Sequence, residues 1–188
     1  MKKLWKYLKM LPVIVYPYLY MVAILVVFIV GVIEDNSTQS YDYTMLAMVI
    51  SIIMSFVITG LCFIISTFNS IRSGNNAYGL LFPVKINFLI KLIQIPAYII
   101  NFIFGIIGIL MSIWGIGIVA LMLVVDLLTI LISGINNIGA CINLYKNKVL
   151  SKEECIIFAL LSFIYIVDVG VAIYLFIIVK RKRNNILT

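Results

Sequence analysis

The chain has 188 residues, 64% of them hydrophobic and 11% charged, where an ordinary soluble domain is about 45–50% apolar and about 25% charged. Fourteen basic and seven acidic side chains cannot cover a water-soluble body of this size, so a soluble globule is excluded and lipid is the expected solvent. The absence of histidine excludes Ser-His-Asp, Cys-His and HExxH chemistry.

The three cysteines, Cys62, Cys141 and Cys155, form no CxxC pair, so no zinc knuckle or redox couple is expected from neighbours. The net charge of +7 does not point to nucleic acid. Eight of the fourteen basic residues stand in two terminal clusters, Lys2, Lys3, Lys6 and Lys9 and then Lys180 to Arg183, each flanking an apolar run. The expected partner is the lipid bilayer, and no catalytic residue, metal site or cofactor is expected.

The basic start leads into an apolar run over about 11–33, longer than the ~7–15 residues of a signal-peptide core. An uncleaved signal-anchor helix is expected, with Pro12 and Pro17 in its early turns and Tyr16, Tyr18 and Tyr20 as interfacial aromatics. A polar, acidic linker (34–43) follows. The second span runs over about 44–67, where Ala47, Ser51, Ser55 and Thr59 recur every four residues and predict a helix-packing face.

In residues 80–95 the residues Asn87, Lys91 and Gln94 fall at helical spacing, which predicts a cytoplasmic-side amphipathic interfacial helix ended or kinked by Pro96. The apolar stretch from Pro96 to about Ala140 is too long for one span and only just long enough for two. A span over 96–116 is expected, packed through Gly105, Gly108, Ser112 and Gly115. Residues 118–140 then read as a re-entrant, interfacial or additional crossing segment, with SGINNIGA as a turn or a broken helix. A last span over 155–179 starts with a Ser151/Glu154 capping pattern and stops at Lys180.

The expected architecture is therefore an all-α polytopic helical bundle in one membrane domain, with four spans favoured and five as the alternative. Both termini are expected in the cytoplasm, dividing the basic residues 11 inside to 3 outside. Asp126 and Asp168 are the two acidic residues inside apolar runs, each costing about 2.5–3.5 kcal/mol at a helix centre. They read either as a proton or cation site or as aspartates neutralised by partners such as Lys91, Asn101 or Tyr165. Asn87 completes this candidate polar set.

The basic MKKLWKYLKMLP start, the Asn87-x3-Lys91-x2-Gln94-Ile-Pro96 segment, SGINNIGA, and Asp168 in FIYIVDVG make the chain resemble small uncharacterised multi-pass membrane proteins of low-GC Gram-positive bacteria. That resemblance implies no assigned activity. The leading functional expectation is a non-enzymatic plasma-membrane protein that assembles with itself or another membrane protein, as an accessory or immunity-like subunit. The alternative is a small transporter or channel component whose aspartates meet a proton, a cation or a cationic substrate.

Overall fold

A computed structural model describes residues 8–35, 43–75, 78–111 and 115–187. Among the described residues the chain forms six helices: α1 (Leu11–Asp35), α2 (Tyr43–Gly74), α3 (Leu81–Leu110), α4 (Ile116–Lys146), α5 (Lys152–Leu161) and α6 (Val167–Leu187). The first four are long and apolar enough to cross a membrane. In lipid a segment must satisfy its own backbone hydrogen bonds, which is why these apolar runs fold as unbroken helices.

The four long helices run alternately up and down. Tyr16 of α1 meets Thr59 of α2, and Gly31 lies beside Thr44, an antiparallel register. Helix α2 lies parallel to α4, with Asn69 on Asn136 and Asn143 on Ser73. Helix α3 is antiparallel to α4, with Asn87 on Asn137 and Asn101 on Asp126. The most buried of the four, α4 stands at the centre.

Two prolines lie inside helices. Pro17 has no amide to give the carbonyl of Val13 four residues earlier; the side chain of Gln94 donates to that carbonyl instead, at 3.1 Å. Pro96 is carried within α3, and the hydroxyl of Tyr18 donates to the Ile93 carbonyl in the preceding turn.

The structure departs from the sequence reading in the second half. Residues 80–95 are no separate interfacial helix: α3 runs unbroken from Leu81 to Leu110 and takes in 96–110 of the expected 96–116 span. The polar face of Asn87, Lys91 and Gln94 is buried against other helices instead of facing headgroups, because α1, α4 and α6 supply it with hydrogen-bond partners. Residues 118–140 belong to the continuous α4, with SGINNIGA helical throughout.

The expected last span over 155–179 is broken instead. Its capping box forms as expected, Ser151 Oγ accepting from the Glu154 amide and Glu154 from the Ser151 amide. The chain then turns at 162–166, where Ile166 adopts φ 68, a left-handed conformation costly for a β-branched residue. Helix α6 returns along α3, stacking Phe176 on Phe88 (ring centroids 4.7 Å apart). Near its far end the Lys182 ammonium donates to the carbonyl of Lys148 at 2.9 Å. Helices α5 and α6 therefore form a hairpin that enters and leaves at one end of the bundle. The backbone of its tip lies near Gly134, about 20 Å from Lys146 along an α4 of about 46 Å, and the Tyr165 side chain reaches on to Asp126.

Candidate intramembrane polar site

Most buried polar side chains of the bundle converge on the Ser133–Asn137 stretch of α4. Asn136 Nδ2 donates to Ser66 Oγ at 2.7 Å and its Oδ1 accepts from Asn69 at 2.8 Å, while Ser66 donates to the Ile132 carbonyl. These bonds fasten α2. Asn137 accepts from Asn87 Nδ2 at 2.6 Å and donates to Ser162 Oγ, tying α3 and the hairpin to the same turn. Close backbone approach supports the contacts: a Cβ on Gly139 would run into the backbone of Ser70, and one on Gly134 would meet the Phe163 ring at 2.8 Å.

At the next turn of α3, Lys91 extends into the bundle and donates to both Ser133 Oγ (2.6 Å) and Asp168 Oδ2. The two charged side chains are 1% and 0% exposed. Asp168 stands in the first turn of α6, where the positive end of the helix dipole favours a carboxylate, and its Oδ1 accepts the Val169 amide at 2.8 Å. The pair therefore lies where the returning half of the hairpin begins, and it clamps α6 to α3.

Asp126 sits seven residues earlier on α4, half-buried. Asn101 Nδ2 donates to it at 2.6 Å, and the Tyr165 hydroxyl of the hairpin tip also hydrogen-bonds to it. Tyr165 packs edge-on against Tyr98, whose hydroxyl is buried. A cavity of about 340 Å³ opens beside Asp126, walled by α3, α4 and the tip.

The structure thus sorts the sequence-predicted residues into two groups: Lys91 with Asp168, and Asp126 with Asn101 and Tyr165. Asn87 belongs to the Asn137 junction instead. Among the predicted packing residues, Gly108 and Gly115 make a close approach between α3 and α4, whereas a Cβ on Gly105 would meet nothing within 4 Å. Gly105 is open because it lines the cavity. Thr59, whose own proton goes to the Ser55 carbonyl, accepts from the Tyr16 and Tyr20 hydroxyls at 3.0 and 2.7 Å, while Ala47, Ser51 and Ser55 stay half-buried. Ser112 lies outside the described residues. Sequence reasoning missed Ser133, Asn136 and Asn137, which repeat at i, i+3 and i+4 inside a stretch read as a turn, and also Gly134 and Gly139. All three cysteines are free thiols.

Residues 6–183 match the profile of DUF6652, a family of unknown function. The chain belongs to this family. The DUF6652 match takes in all four long helices and nearly all of the hairpin, so the family unit is the bundle described above. No curated protein matches the chain, and no solved structure does.

Proposed function

We propose that this DUF6652 member is a non-enzymatic, multi-pass protein of the bacterial plasma membrane that works by assembling with itself or with another membrane protein. The observation that carries this reading is an unfilled groove. Between α1, α2 and α4 lies a space of about 540 Å³ whose wall includes Ser51, Ser55 and Thr59, the small-residue face of α2. Ser55 and Thr59 return their hydroxyls to carbonyls of their own helix, Ser51 O and Ser55 O, each at 2.7 Å. The surface left is small, apolar and shaped for close helix approach, the kind through which helices associate in lipid.

Charge supports an orientation with both termini in the cytoplasm. Lys91 is paired inside the bundle, and the other described basic side chains, Lys9, Arg72, Lys85, Lys146, Lys148, Lys152 and Lys180 to Lys182, all stand toward the hairpin end. The end of α1 and the linker to α2 carry Glu34, Asp35 and Asp42 and no basic residue. This asymmetry is sharper than the division that a further crossing at 155–179 would give, and it matches the retention of basic loops inside.

The groove is tested with Ser55→Leu, which fills it from the α2 side. Light scattering of the detergent-solubilised full chain, and co-purification with the membrane proteins it associates with, should show loss of assembly with unchanged thermal stability. Equal association by wild type and Ser55→Leu contradicts the reading. A second reading, a component that handles a cation, is favoured by one specific observation: Asp126 has neutral hydrogen-bond donors and no cationic partner among the described residues.

A further inference from the structure

We propose that the cavity beside Asp126 is a binding site for a lipophilic monocation, an amine or quaternary ammonium with an apolar body. Its wall is apolar except for three side chains, Asn101, Asp126 and Tyr165. Among the described residues no Lys or Arg lines it, and the nearby ammonium of Lys91 is spent on Asp168 and Ser133. Asn101 and Tyr165 hold the carboxyl group by neutral hydrogen bonds and bring no opposite charge to it.

An uncompensated carboxylate in an apolar wall attracts a cation more strongly than it would in water, because little solvent screens it. Aromatic faces add to the preference: Phe102, Phe163 and Tyr165 ring the same space, and their π-systems attract cations. The lateral rim is formed by side chains that are themselves open to the surroundings, Phe102 at 63% and Leu127 at 64% exposure, so a ligand dissolved in the bilayer has a path in. At Gly105 the absent side chain leaves the floor open for the ligand's apolar body. The half-height hairpin creates the site, since its tip roofs the space between α3 and α4 without filling it.

The test is equilibrium dialysis of radiolabelled tetraphenylphosphonium against the full chain in a neutral detergent. The wild-type chain should bind saturably at one site, while the isosteric anion tetraphenylborate should bind at least tenfold more weakly. Asp126→Asn should weaken tetraphenylphosphonium binding at least tenfold, and Asp126→Glu should stay within threefold of wild type. Gly105→Leu keeps the carboxylate but fills the floor, and should also weaken binding at least tenfold. The proposal is overturned by lack of saturable binding to wild type, by equal binding of the anion, or by undiminished binding to either Asp126→Asn or Gly105→Leu.

Discussion

Replacing Asp168 with asparagine leaves the Lys91 ammonium in a site where both side chains are at most 1% exposed, with Ser133 Oγ as its remaining side-chain acceptor besides the new amide. Removing one member of a buried ion pair costs about 3–5 kcal/mol, mostly the cost of the orphaned charge. The asparagine oxygen still accepts a hydrogen bond, so Asp168→Asn should fall near the lower value, about 3 kcal/mol, and Asp168→Leu near the upper, about 5 kcal/mol. Removing both charges in Lys91→Met/Asp168→Leu should recover most of the loss, because an apolar pair of similar volume is about as stable as a buried ion pair. The assay is unfolding in mixed micelles followed by circular dichroism, completed as a double-mutant cycle. A loss under about 1 kcal/mol for both single Asp168 variants would refute the clamp, and so would a double variant no more stable than Asp168→Leu.

Three further outcomes follow from the same contacts. Gln94→Leu should lose about 1–2 kcal/mol by leaving the Val13 carbonyl without its donor; adding Pro17→Ala, which restores the missing amide, should return most of it in the same unfolding assay. Gly139→Leu should destabilise by about 3 kcal/mol or more, since its side chain would enter the backbone of Ser70, whereas Gly105→Ala should change stability by less than about 0.5 kcal/mol; comparable losses at both glycines would contradict the packing described. Asn137→Leu should cost about 2–4 kcal/mol by leaving Asn87 and Ser162 without a shared partner, and should raise protease sensitivity in the 147–151 loop.

The composition and apolar runs make the all-helical class legible, and α1 agrees with the expected run over 11–33 to within a few residues at its end. The second helix extends past Thr67 because Asn69 and Ser73 find partners on α4, which hydropathy along one chain cannot show. The same blindness to partners misplaces Asn87, Lys91 and Gln94 at an interface: an amphipathic pattern reads alike whether its polar face meets headgroups or other polar side chains. Asp168 is singled out by its rarity in an apolar run, but its place at a helix start depends on the turn at 162–166, where neither glycine nor proline marks the break. Conversely, the glycines and asparagines of 134–139 read as a turn although they are what lets α2, α3 and the hairpin approach α4. Small and polar residues break helices in water and join them in lipid.

Cysteine accessibility in cells shows whether α5 and α6 enter and leave the bundle at one end. In a background with Cys62, Cys141 and Cys155 replaced by alanine, single cysteines are placed at Asn147, Asn184 and Thr38 and intact cells are treated with an impermeant thiol reagent. Labelling is expected at Thr38, with none at Asn147 or Asn184 until the cells are permeabilised. Labelling of intact cells at one of Asn147 and Asn184 but not the other would put these residues on opposite sides, make 155–179 a true crossing and contradict the hairpin.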